Sequence, residues 1–237
     1  MNADGATGST RPWLLAIDTA TSQVVVAAGT PAGDVLASRS APAEHRHGER
    51  LLAMIDALVG ETNLDLAALG GVIVGTGPGA FTGLRVGLAT AKTLAHELGV
   101  SIAGVPTGDA LLFAGVAVGV GGKNVVLRLP AGPHDRVEVR PGQPPRLVPG
   151  GSPENAASGS EIAIAVDLAE RAPEADLGRG AAALTGLPAS LMRLGVARLA
   201  ARGDDAATLV PEYVMLPRGV SAGLDVGEGV SWSRDRP

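Results

Sequence analysis

VIVGTGPGAFTGLRVGLATAKTLAHELG, residues 72–99, runs a short apolar strand into a glycine loop that opens a helix. In an α/β chain such a loop either cradles a phosphate or turns the backbone sharply between packed elements. A Walker loop needs Lys followed by Ser or Thr after its glycines, because the amine reaches the terminal phosphates and the hydroxyl reaches magnesium. Here Gly79 is followed by Ala80, Phe81 and Thr82, so that reading fails. The dinucleotide fingerprint fits only loosely, as Gly75, Gly77 and Ala80, and no strand-end acid follows at the expected distance, Glu97 lying inside the helix. The alternative is architectural: Gly75, Gly77, Pro78 and Gly79 form a structural loop, and Gly83, Leu84, Gly87, Leu88, Ala91, Leu94, Ala95 and Leu98 share one broad helix face. Arg85, Lys92 and His96 fall on the opposite side. Small residues at 83, 87 and 91 make a smooth groove that either the chain's own sheet or a helix of another subunit could enter.

Outward from this segment, the N-terminal half reads as an α/β layer. WLLAIDTA (13–20), SQVVVAAG (22–29) and GDVLASRS (33–40) are separated by short turns and predict a three-stranded antiparallel meander. Leu51, Leu52, Ile55, Leu58 and Val59 recur at helical spacing, predicting an amphipathic helix over 49–59 that ends near Gly60. GVIVG then suits a central parallel strand. After VSIAGVPTGDALL (100–112) the pattern partly restarts: NVVLRLP (124–130), DRVEVR (135–140) and EIAIAVDL are strand candidates, and 141–160, dense in Pro, Gly and Ser, predicts a long loop. GRGAAALTGLPASLMRLGVARLAARG holds one or two helices, the second beginning after Pro188, and TLVPEYVMLPRG is expected to be extended. The expected division is a tail over 1–12, an N-terminal lobe over 13–110, a C-terminal lobe over 111–218 and a second tail over 219–237.

Composition narrows the chemistry. With 237 residues the chain can bury a substantial core, and with no Cys it has no disulfide, thiolate nucleophile or cysteine metal site. Thirty-four Gly against one Tyr, two Phe and two Trp predict an aliphatic core with close helix–backbone contacts. The net charge of −5 gives no broad basic face, so direct nucleic-acid binding is not expected. The N-terminus lacks a basic region followed by an apolar run, and no stretch is apolar for long enough to span a bilayer; a cytoplasmic location without membrane association is expected.

Two short motifs could carry chemistry. DTATS (18–22) places Asp18 at a strand end, where it could orient magnesium and phosphate or cap a hairpin. EHRHGERL (44–51) brings His45, His47 and Glu49 together, either as a metal contact or as a solvated helix start, and it does not follow the H-E-x-x-H pattern. His134 stands alone in a turn. No nucleophile–base pair is visible.

LLAIDTATS, HGERLLAMIDALV, GTGPGAFTGLRVGLATAKTLAHELGVSIAGV and PEYVMLPRG resemble the TsaB family, the bacterial companion subunit in synthesis of threonylcarbamoyladenosine on tRNA. The first three cover most of 14–105; residues 111–210 resemble it weakly, and NVVLRLPAGPHDRVEV stands where the family has an aspartate- and arginine-rich strand followed by Tyr. The resemblance implies an α/β, actin-like (ASKHA) two-lobed fold, each lobe a mixed sheet with flanking helices. It implies a non-catalytic scaffold that activates a TsaD-like catalytic subunit acting at A37 of tRNAs reading ANN codons, with a TsaE-like ATPase in the complex. Catalytic relatives place two metal-binding histidines four apart just beyond the glycine helix; the matching stretch here, 104–111, has none. No catalytic residue, metal or cofactor is therefore expected for the isolated chain, ATP or ADP binding only in the assembled complex. A homodimer is expected when the chain is alone, with Leu51, Leu52, Ile55, Leu58, Gly83, Leu84, Gly87, Leu88, Ala91 and Ala95 as the interface. The competing reading is a small actin-like ATP-dependent phosphotransferase or ATPase using Asp18 and the loop of Gly77, Pro78 and Gly79.

Overall fold

The structure, a computed structural model, describes residues 12–44, 46–117, 119–120, 124–150 and 161–214. The expected tails, His45, and the second half of the expected 141–160 loop lie outside these residues, apart from Pro12 at the inner end of the first tail.

Strands β1 (Trp13–Asp18), β2 (Gln23–Gly29) and β3 (Val35–Pro42) form the expected meander, and β4 (Leu69–Gly75) and β5 (Ser101–Val105) add parallel strands on the other side of β1. The sheet order is β3-β2-β1-β4-β5, with Ala16 opposite Ala27 on one side and Ile73 on the other. Both faces of β1 are buried, which explains its continuous apolar run. Helices α1 (His47–Thr62) and α2 (Phe81–Leu98) cover one face, where Leu15, Ile17, Val24, Val72 and Val74 meet Leu51, Leu58, Leu88 and Ala91. Helix α1 runs through Gly60 and stops at Asn63, in the left-handed region at φ 50°, rather than at the glycine. Helix α2 ends at Gly99 in the same conformation.

The opposite face of this sheet shares its core with a second one. Helix α3 (Thr107–Ala117) leads to β6 (Val125–Ala131), β7 (Asp135–Val139), β8 (Arg146–Val148) and β9 (Ile162–Ala165), ordered β8-β7-β6-β9 with β9 parallel to β6 and the rest antiparallel. One apolar cluster joins Leu14, Ala27 and Ile73 of the first sheet to Leu127 and Ile164 of the second through Leu111 and Leu187. Strand β8 corrects the expectation of loop throughout 141–160: Leu147 pairs with Val137 and Val148 is buried, so two apolar residues among prolines suffice for an edge strand.

Helix α4 (Glu174–Ala200) is one continuous helix, the first of the two alternatives, with Pro188 inside it rather than at the start of a second helix. Proline removes one ladder hydrogen bond at a cost of about 3 kcal/mol, but here Leu187, Pro188, Leu191 and Met192 are all buried. At about 1.5 Å per residue the helix is about 40 Å long, and it uses that length to span both sheets. Near its start a Cβ on Gly180 would lie 1.8 Å from the Ala165 carbonyl oxygen of β9; near its end a Cβ on Gly195 would lie 2.4 Å from Ile73 of β4. Beyond α4 a turn at Asp205 to Thr208 leads into a segment without helix or strand, tied by Asp204 to Ile102 and Gly104 and by the Glu212 N–H to the Thr76 carbonyl at 2.7 Å, and residues 215–219 of the expected extended stretch lie outside the described residues.

Candidate functional site

The glycine loop and the DTATS turn are one object. Glycines 75, 79, 83 and 87 recur every fourth residue, and each makes room for the turn after β1. A Cβ at Gly75 would lie 1.8 Å from Asp18 Oδ2, at Gly79 2.0 Å from the Ala20 carbonyl oxygen, at Gly83 2.1 Å from the Thr19 carbonyl oxygen and at Gly87 2.2 Å from Thr19 Oγ1. The contact is also hydrogen-bonded: Ala80 N–H donates to the Ala20 carbonyl (2.7 Å) and Thr19 Oγ1 donates to the Gly83 carbonyl (2.7 Å). The groove at 83 and 87 is therefore filled by the chain's own β1–β2 turn and Ala91 packs into the cluster under the first sheet, so of the two alternatives for this face the chain's own elements occupy it. Gly77 takes φ 105° beside a cis bond to Pro78, and its N–H donates to Thr107 Oγ1 at 3.1 Å.

Asp18 is fully buried behind this loop. Its Oδ2 accepts from Thr107 Oγ1 at 2.6 Å and its Oδ1 from Ala20 N–H at 2.9 Å. Burial pushes the carboxyl up to about 6, and the two hydrogen bonds only partly counter it. A magnesium-held phosphate needs an ionised carboxylate facing solvent; here both oxygens are turned inward and engaged. This geometry gives Gly75, Gly77, Pro78 and Gly79 an architectural role around Asp18.

The expected interface residues divide sharply. Leu51, Ile55, Leu58, Gly83, Leu84, Gly87, Leu88, Ala91 and Ala95 are buried against the chain's own sheet and turn, whereas Leu52 is 59% exposed. The helix period that marked them registers burial without saying against what. Of the histidine motif, His47 begins α1 with its ring against Gly83, and Glu49 is exposed. Among the described residues no three His, Asp or Glu are grouped as metal ligands.

Sequence reasoning missed a cleft of about 710 Å³ between the two sheets, lined by the β1–β2 turn, the 78–81 loop, the β6–β7 hairpin and Tyr213. At its edge Asp167, after β9, accepts from Ser22 N–H (2.6 Å) and Ser22 Oγ (2.5 Å). Phe81 and Tyr213 stack at 5.1 Å with Arg85 over the Phe81 ring. Also missed was an acid pair, Asp109 and Glu212, beside a pocket of about 90 Å³. Burial pushes both carboxyls up; Arg198 opposes this at Asp109, and Asp109 adds to it at Glu212. Residues more than about a hundred positions apart in sequence carry no local signal of such contacts.

A model of the TsaD family, tRNA N6-adenosine threonylcarbamoyltransferase, matches residues 34–134. An uncharacterized protein of Mycobacterium leprae is 43% identical over 103 residues, 41% of this chain and 28% of its own length. The tRNA threonylcarbamoyladenosine biosynthesis protein TsaB of Escherichia coli is 33% identical over 94 residues, 40% of each chain. The solved structure of YeaZ from Pseudomonas aeruginosa superposes with a TM-score of 0.64 at 26% identity, covering 86% of this chain and all of that one. The chain is an actin-fold protein related to the TsaB, YeaZ and TsaD family. Its two mixed sheets with flanking helices are the actin-like architecture, and the TsaD match spans α1, the glycine loop, α2, β5 and α3. The matched segments cover less than half the length of either the Mycobacterium leprae or the Escherichia coli relative.

Proposed function

We propose that this chain is a non-catalytic scaffold that binds and activates a TsaD-like catalytic subunit in threonylcarbamoyladenosine formation at A37 of tRNAs reading ANN codons, with a TsaE-like ATPase joining the complex. The observation that carries the reading is the corner around Asp18: the acid and loop that relatives of this fold could use on a nucleotide are spent here on internal hydrogen bonds. The histidine-free 104–111 segment forms β5 and the start of α3, and Thr107 within it serves to hold Asp18. Under this proposal the isolated chain has no cofactor, and ATP or ADP enters only in the assembly.

The partner surface in this reading is the outer side of α1 and α2, with Leu52 as its exposed apolar anchor and Arg85 beside Phe81 at its edge. The chain forms a homodimer through this surface, and the catalytic subunit competes for it. Co-purification with the TsaD-like subunit of the same organism tests the function. The expected result is a stable complex and restored transfer activity that neither subunit shows alone. Leu52→Asp should leave far-UV circular dichroism unchanged and weaken the complex about tenfold or more, the loss expected for an interface anchor. Transfer by this chain alone, or activation of the catalytic subunit without complex formation, would overturn the proposal.

A further inference from the structure

The cleft between the sheets contains a charge that its surroundings do not cancel. Two carboxylates line it, Glu44 and Asp167, and Glu44 is ion-paired with Arg50. Among the described residues the polar partners of Asp167 are the N–H and O–H of Ser22, neutral donors that orient the carboxylate and leave its charge intact. The backbone contributes to the aim, since Asp167 takes φ 57°, a conformation few residue types adopt readily. No Lys or Arg is among the described residues lining the cleft. Thr21, Gln23 and His47 add polar groups on one side, and the rest of the wall is largely apolar, with Leu129 and Val137 from the second sheet and the Phe81 and Tyr213 rings from the first side. A fixed carboxylate at the edge of an apolar, aromatic-walled cavity selects for positive charge carried on a hydrophobic body.

We propose that this cleft binds a small organic cation, its amidinium, guanidinium or ammonium head paired with Asp167 and its apolar or aromatic body against Phe81, Tyr213 and Val137. Three features pull the other way, the first being the basic imidazole of His47 in the lining. The N-terminus of α2 faces the cleft at Ala80 and Phe81, but a helix end carries only about half a unit of positive charge, and the Ala80 N–H is already bonded to the Ala20 carbonyl. Arg85 is held over the Phe81 ring from outside the lining. A carboxylate with no ion-pair partner among the described residues outweighs them. The site does not depend on a protein partner, so its failure would leave the scaffold reading untouched.

Benzamidine, benzamide and benzoate share one ring and differ by charge, which makes them the probes. Each is titrated into the uniformly ¹⁵N-labelled full chain and followed through the amides of Ser22, Phe81, Gly132 and Asp167. The expected order is benzamidine, then benzamide, then benzoate, with benzamidine tighter than benzamide by about tenfold, the size of one charge-assisted hydrogen bond. Asp167→Asn should abolish that advantage and leave benzamide affinity unchanged. Asn suits the left-handed backbone, so the variant keeps the local turn. Benzoate binding as tightly as benzamidine, a benzamidine advantage that survives in Asp167→Asn, or no shift of the cleft amides by benzamidine at millimolar concentration would each overturn the proposal. Should the variant fail to fold, the charge series on the unaltered chain still decides.

Discussion

Asp18 and Glu138 are both almost completely buried, one at the end of β1 and the other in the middle of β7, yet their carboxyls shift in opposite directions. Around Asp18 the partners are a hydroxyl, one peptide N–H and a bed of glycines, so desolvation wins and the acid rises to about 6. At Glu138 burial also raises the carboxyl, but Arg136, Arg128 and Arg140 together outweigh it and hold the group below its ordinary value. Arg128 lies directly opposite Glu138 in the β6–β7 register, and Arg140 also pairs with Glu161, so the charges form a network across this face of the second sheet. The first sheet is closed by backbone contact and the second sheet is braced by charge. Burial alone sets neither behaviour; the compensating groups do.

The largest expected effect breaks the backbone contact. Gly87→Leu drives a side chain into Thr19 from a position where even a Cβ would be 2.2 Å away, and it should destabilise the isolated chain by at least about 3 kcal/mol or prevent folding. Urea unfolding of the monomer checks this; a folded variant of unchanged stability would show that the turn yields easily.

Next in size is the charge network. Glu138→Gln removes the buried carboxylate that Arg128, Arg136 and Arg140 share, Arg128 keeping Glu161, and should cost about 3 kcal/mol at pH 7, read from the shift in urea midpoint at constant slope. Because the native carboxyl is held low, the stability it supplies is present above its unfolded pKa and is lost as pH falls through the lower native value. The difference between the unaltered chain and the variant should therefore shrink in acid.

Asp18 should show the reverse sign. Its native form holds a proton up to about pH 6, whereas the unfolded carboxyl releases it near 3.8. The protein is thus favoured at the acidic end of that window and loses stability as pH rises through it, by about 3 kcal/mol at most. Asp18→Asn removes this dependence, so the stability of the unaltered chain relative to the variant should increase as pH is lowered from 7 to 5. Parallel urea titrations of the two proteins provide the measurement, and a constant difference across that range would mean that Asp18 is not desolvated as described.

Much of the first sheet was legible because its signals are local. Alternation and short turns mark β1 to β3, and the period of Leu51, Ile55 and Leu58 marks α1. The TGPGAFTG loop departs from the Walker pattern because it has no Lys and no hydroxyl directly after its glycines. The resemblance added the two-lobed fold, which the superposition on YeaZ bears out. The second half was less legible. Pro188 reads as a helix end, but a 27-residue helix held by both sheets absorbs it, and β8 rests on two apolar residues within a proline-rich stretch. The candidate sites were least legible. Asp18 stood out, whereas Thr107, which holds it, is 89 positions away, and the Ser22–Asp167 contact spans 145.

The sequence by itself therefore determined the alternation of strands and helices, the absence of thiol chemistry and the mismatch of the glycine loop to the Walker pattern, since each depends on residue type and spacing along a few turns of chain. Which face each apolar or glycine stripe meets was decided only by the tertiary structure. A small-residue face at spacing four fits another subunit as well as it fits the chain's own turn, and only the packing of β1 against α2 assigned Gly83 and Gly87 to Thr19. The same holds for charge. A carboxylate's formal charge is written in the sequence, but whether it is pushed toward protonation like Asp18, compensated like Glu138 or oriented by neutral donors like Asp167 depends on which distant donors and cations the fold brings to it.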